Sequence, residues 1–230
     1  MGNLRVRAGI RSRLDTPSHL RTDLEGDVHN VDEQQIRRQI VEIGRLMYER
    51  HLTDSAGGNI SVRGAGVIYS TPRYAGSKYR WQLQPEQIVA LTDGRVRPEQ
   101  LALVSREIRV HLAIYEHLPR AQAVIHAHPR YVMPFATLGR PIPPVWEDTR
   151  KFGMVELVPE TPAHSPELAA HVARALQPKA EELAQHAIAV LVPKHGIVVV
   201  GRDLDDAYDT LERINGNAEC ILLCRLLDEM

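Results

Sequence analysis

The feature that most restricts the fold lies near the end of the chain. Ile188-Ala189-Val190-Leu191-Val192 and Ile197-Val198-Val199-Val200 are two unbroken apolar runs separated only by Pro193-Lys194-His195-Gly196. Each run is shorter than a stable helix and rich in β-branched residues, so both read as buried strands. Four residues containing Pro and Gly leave room only for a tight corner between them. The chain has 230 residues, which fits one sizeable α/β domain more simply than two small ones.

Composition narrows the class. Hydrophobic residues at 43% and charged residues at 25% belong to a globular chain with a real core. A net charge of -1 recruits neither nucleic acid nor an acidic membrane surface, so the expected partner is a small molecule. The two cysteines, Cys220 and Cys224, share one helix face and are expected as small buried apolar groups, which excludes a disulfide framework. No apolar run approaches the roughly 20 residues that span a bilayer, and the start lacks a signal-like apolar stretch. The cytoplasm is the expected compartment. Arg5, Arg7, Arg11, Arg13 and Arg21 punctuate a stretch with little apolar periodicity. Residues 1–30 therefore read as an arm, flexible or intersubunit, with a transit peptide as the alternative, and residues 31–230 as the domain.

From Asp32 the pattern turns helical, with Ile36, Ile40, Ile43 and Met47 at three- and four-residue spacing until near His51. A Gly-rich corner at Asp54-Ser55-Ala56-Gly57-Gly58 precedes the alternating strand 59–63, with 67–70 as its hairpin partner. Residues 71–84 form a loop, and Ile88 to Leu91 a short strand closed by Asp93-Gly94. Ser105 fits as the N-cap of an amphipathic helix running to Leu118. A strand from Ala123 to Ala127 follows, then a helix opening at Pro129, a helix from Glu167 to Leu176 and a last helix from Asp203 or Leu204 toward Leu227. Strands alternating with helices, plus hairpins, imply a mixed sheet.

The sharpest chemical signal is His126-Ala127-His128-Pro129 at a strand end. Residues i and i+2 of a strand face the same way, so both imidazoles can converge on one metal. Alone, such a pair is as readily exposed or satisfied in a core. His195 at the corner between two buried strands shifts the balance, because three neutral imidazoles with one open position are what a catalytic zinc requires. The others lack this setting: His19, His29 and His51 lie in the arm or at a helix end, while His111, His117, His164, His171 and His186 read as solvated or helix-packing. Glu107, at a helix start leading to the His126 strand, could ligate the metal or move a proton. Sequence physics alone favours an ordinary helix-start glutamate there.

Taken in order, Gly58-Asn59-Ile60-Ser61-Val62-Arg63, Ser105-Arg106-Glu107 with His111 and Tyr115, His126-Ala127-His128-Pro129, and Lys194-His195-Gly196 with Gly201 resemble the signatures of the class II aldolase/adducin superfamily over roughly residues 35 to 225. The resemblance implies a three-layer α/β/α sandwich around a mostly antiparallel central sheet. It implies a divalent metal, usually zinc, on His126, His128 and His195, with Fe²⁺, Mn²⁺ or Co²⁺ as alternatives, and Glu107 as the catalytic carboxylate. It also implies a homotetramer with active sites between subunits.

Departures from the family pattern point to the substrate. Sugar-phosphate members wrap the phosphate with hydroxyl residues, but here Ala56 precedes Gly57-Gly58, Arg73 follows Thr71-Pro72, and Arg106 stands for the second serine. Planar guanidinium groups suit a carboxylate or a differently held phosphate, so Arg73 and Arg106, with Asn59 and Ser105, are the expected substrate-binding set. The family's aldolases use a tyrosine proton donor where this chain reads Pro143-Pro144-Val145-Trp146-Glu147-Asp148, which leaves Glu147 and Asp148 both open. The implied activity is a metal-dependent lyase acting on a small anionic hydroxy-carbonyl compound through a stabilised enediolate. A decarboxylase, an epimerase and a non-enzymatic adducin-like module are the alternatives.

Overall fold

The computed structural model describes residues 18–64, 66–92 and 94–229, with side chains from residue 32 onward. Five helices, α1 (Ser18–Glu49), α2 (Ile108–His117), α3 (Met133–Leu138), α4 (Pro166–Leu176) and α5 (Leu204–Asp228), accompany six strands, β1 (Asn59–Gly64), β2 (Val67–Ser70), β3 (Val89–Thr92), β4 (Ala123–Ala127), β5 (Ile188–Val192) and β6 (Gly196–Gly201). They form one sheet in the order β3-β2-β1-β4-β6-β5.

Every ladder is antiparallel, as the family resemblance implied and against the mixed sheet read from local pattern. The reason lies in the crossovers. The connection through α2 carries the chain past β2 and β1, and the one through α3 and α4 carries it past β6. Strands joined through helices are therefore never neighbours, and only hairpins and returning strands pair.

Alternation along the strands assigns the two faces. Ile60, Val62, Ala123, Ile125, Ala127, Ile197 and Val199 point into a core completed by Ile40, Ile43 and Met47 of α1 and Leu204, Leu211 and Ile214 of α5. Val124, Val190, Val198 and Val200 point the other way, against Ile108, Ile114 and Tyr115 of α2 and Leu168, Val172 and Leu176 of α4. This is the α/β/α sandwich, and each such buried aliphatic side chain contributes about 1.5–3 kcal/mol. No helix among the described residues is long and apolar enough to cross a membrane.

Several boundaries differ from the sequence expectation. Helix α1 begins at Ser18, not Asp32, so it takes in part of the stretch read as an arm, whose residues 1–17 lie outside the described residues. Helix α2 begins at Ile108, because Ser105 Oγ accepts the N–H of Glu107 only two residues on, a local turn that competes with helix. Helix α3 begins at Met133 with Pro134 in its first turn, while Pro129 closes the turn before it by accepting from the N–H groups of Val132 and Met133. The last turns of α5 run past the core: Cys220 is half-buried and Cys224 exposed, not buried as expected, and Leu223, Leu226 and Leu227 are exposed with them.

Candidate active site

The site forms where the middle of the sheet meets the start of α2. Asn59 on β1 and His126 on β4 are paired in register, and both face α2. His128 lies one residue past the end of β4, so it shares the direction of His126. The corner between β5 and β6 brings in His195. There Lys194 adopts φ 57, and the following Gly196 passes so close to β4 that a Cβ would collide with the Ala127 carbonyl. The ring centroids of His126 and His195 are 4.7 Å apart, those of His126 and His128 5.0 Å.

The nitrogens of the trio all lie within 4.8 Å of one another. His126 Nδ1 is 3.0 Å from the Ile197 carbonyl oxygen and His128 Nδ1 is 3.2 Å from Asp54 Oδ1. Both acceptors require Nδ1–H tautomers, which leaves the two Nε2 lone pairs facing each other 3.2 Å apart. Two acceptors so placed repel unless a cation lies between them. Tetrahedral zinc with Zn–N bonds of about 2.0–2.1 Å separates its nitrogens by roughly 3.3 Å, so the donor set fits a divalent ion. Burial holds His126 near a pKa of about 3, against the pull of Glu107, and keeps it a neutral donor. Asp54 is the orienting carboxylate commonly found behind a metal-binding imidazole.

Glu107, only 6% exposed, faces this cluster. Its Oε1 lies 2.9 Å from His195 Nε2, and its Oε2 lies 3.2 Å from His126 Nε2 and accepts from Asn59 Nδ2 at 2.9 Å. Burial alone raises its pKa, but His126, His195 and Asn59 together outweigh that and hold the carboxyl well below the usual carboxylate range. Asn59 Nδ2 also donates to Ser105 Oγ at 3.2 Å, so Asn59 and Ser105 bracket Glu107 as well as facing the cavity.

The cavity of about 220 Å³ in front of the cluster is lined by Arg73, Ser105, Arg106, His128, His164 and His195 among others. Arg73 lies 4.8 Å over the Tyr74 ring. Among the described residues neither Arg73 nor Arg106 is in an ion pair. All eight site residues expected from sequence therefore meet at one place.

Glu147 and Asp148 do not join them. They open an exposed turn pinned by buried Asn217, whose Oδ1 accepts from the Val145 and Trp146 N–H groups, and Asp148 lies 3.5 Å from Arg213. Sequence reading also passed over two residues at the site. Asp54 lay in a segment read only as a Gly-rich corner. His164, read as solvated or helix-packing, instead faces the cavity and Glu107, and nothing in its surrounding sequence distinguishes it from a loop histidine.

With this geometry in hand, the likenesses to known proteins are informative. Residues 38–222 match the family described as Class II Aldolase and Adducin N-terminal domain, and the chain belongs to that family. It is 26% identical over 171 residues to an L-fuculose phosphate aldolase of Methanococcus maripaludis, covering 74% of this chain and 87% of that one. A 3-oxo-tetronate 4-phosphate decarboxylase of Haemophilus influenzae is 28% identical over 192 residues, covering 78% and 83%. Among solved structures, the L-fuculose-1-phosphate aldolase of Thermus thermophilus superposes with a TM-score of 0.71 at 25% identity, covering 84% of this chain and 96% of that one. The chain is an enzyme of the lyase type on the class II aldolase fold.

Proposed function

We propose that this enzyme makes or breaks a carbon–carbon bond in a small anionic hydroxy-carbonyl substrate, with a divalent metal held by His126, His128 and His195. The observation that carries this reading is the pair of imidazole lone pairs converging beside a buried, ionised Glu107. Zinc is the favoured ion for an all-imidazole set, with iron, manganese or cobalt also compatible. When bound, it supplies Lewis-acid stabilisation of the oxyanion that develops as the bond breaks.

Each protein group then has a defined task. Glu107 takes and returns the proton at the reacting centre, and Asn59 Nδ2 fixes the direction of its carboxylate. Arg73 and Arg106 face the cavity without carboxylate partners among the described residues and hold the substrate's anionic group, with Ser105 beside them. Glu147 and Asp148 are 86% and 74% exposed on their own chain. We assign the remaining proton donor to a neighbouring copy, in a homotetramer with sites between subunits. The exposed Val145, Trp146, Leu223, Leu226 and Leu227 favour such an assembly.

Decarboxylation is the second reading, favoured by the 3-oxo-tetronate 4-phosphate decarboxylase among the relatives and by the two guanidinium groups that line the cavity. It needs the same stabilised enolate and the same residues. The deciding experiment is a screen of sugar phosphates against hydroxy- and oxo-acids, scored for aldehyde and for carbon dioxide, on the wild type and Arg106→Ser. Release of one product by the wild type, with binding weakened by about 2–5 kcal/mol in Arg106→Ser, supports the assignment. No cleavage of any compound, or an Arg106→Ser variant with unchanged preference, refutes it.

A further inference from the structure

His164 has no part in the chemistry described so far. It immediately precedes Ser165, the N-cap of α4, whose hydroxyl accepts from Leu168 N–H. Its backbone φ of 66 lies in the left-handed region that favours glycine. Its Nδ1 is buried and has no hydrogen-bond partner among the described residues; Glu107 Oε1 is 3.7 Å away. The ring stands at 90° to that of His195 with centroids 6.3 Å apart, and it lines the same cavity as Arg73 and Arg106.

A glycine at this position would relax the backbone, and the fold would lose no hydrogen bond among the described residues. Backbone strain at a residue whose ring lines a cavity marks a group held for a ligand. A direct place on the metal does not fit, because the clustered nitrogens are those of His126, His128 and His195 alone and Glu107 lies between them and His164. With Nδ1 enclosed by protein, the ring edge open to the cavity is the one carrying Nε2, and it faces a molecule that occupies that space.

Building on the metal-dependent reading above, we propose that His164 is a specificity-determining residue. It hydrogen-bonds an anionic oxygen, carboxylate or phosphoryl, carried by the substrate beyond the atoms that reach the trio, on the wall shared with Arg106. The residue thus selects substrates whose second anionic group lies close to the reacting carbon.

The test titrates zinc-loaded full-length protein with three probes. Glycolate carries only a hydroxy-acid, tartronate adds a second carboxylate, and 3-phosphoglycerate adds a phosphoryl group. His164→Gly should weaken tartronate or 3-phosphoglycerate by about tenfold or more, the scale of a lost hydrogen bond to a charged group. Whichever probe responds identifies the anion. Glycolate and zinc affinity should stay within about twofold, and Tm should not fall because the left-handed backbone is relaxed. His164→Asn, which tolerates that backbone and keeps a donor, should recover part of the binding. Equal affinities of wild type and His164→Gly for all three probes overturn the proposal, as does a parallel loss of glycolate or zinc. Wild-type protein that takes up no zinc sinks the metal reading itself, and this one with it.

Discussion

At the scale of single residues, the site depends on how one buried carboxylate is kept charged. Glu107 is almost fully out of water, a position that ordinarily favours the neutral acid, yet Asn59 Nδ2 donates to its Oε2 and the His195 imidazole meets its Oε1. In the proposed role of base, a carboxylate held in this way needs no reorganisation before it accepts a proton. Glu107→Gln preserves shape and the possibility of hydrogen bonding while removing the base. We expect it to retain the metal and lose about 10² to 10⁴ in turnover, measured by steady-state kinetics on the screened substrate. Near-normal turnover assigns the proton transfer to another group.

At the scale of elements, helix α2 couples the site to the sheet beneath it. One turn after Glu107, His111 is fully buried, with Nδ1 2.7 Å from Ser61 Oγ on β1, and the same hydroxyl lies 2.9 Å from Tyr115 OH. Burial depresses His111 to a pKa of about 4, against the pull of Glu107. An unfolded histidine titrates near 6.5, so between about 6.5 and 4 the unfolded chain binds more protons and stability must fall with falling pH. The contribution is on the order of 3 kcal/mol across that window at about 1.4 kcal/mol per unit. In the metal-free protein, urea melts should show His111→Gln less acid-sensitive than wild type, with a slope smaller by about one proton. Equal slopes would mean that His111 is not held neutral by the fold. The elements also show what could be read without a structure. The buried β5 and β6 runs and the His126 strand are continuous apolar stretches and α4 has a helical period, and their positions follow from these local patterns. The start of α2 does not: a serine hydroxyl bonding two residues ahead, in place of capping three ahead, is a choice of local geometry that residue types leave open. His164 and Asp54 escaped for a related reason, since each is brought to the site from a loop by an approach distant in sequence.

At the scale of the molecule, the strand order explains why one site gathers residues from so much of the chain. Placing β4 between β1 and β6 sets His126 beside Asn59 on one side and brings the His195 corner against the other, while α2 crosses over the same face with Glu107 at its start. Residues 59 to 195 thus converge through the strand order and the crossing of α2, and the hydrophobic cores on both faces keep the convergence rigid. The four ordered sequence signatures made this legible in advance, the mostly antiparallel sheet included; local pattern alone suggested a mixed sheet, because crossover distances are invisible in it. The central claim is that this convergence exists to hold one divalent ion. Metal analysis of the purified full-length chain, reconstituted with zinc and dialysed, tests it most directly. The account predicts about one zinc per chain in the wild type and near zero in His128→Ala, with Glu107→Gln still loaded. Stoichiometric zinc retained by His128→Ala, or none in the wild type, would contradict it.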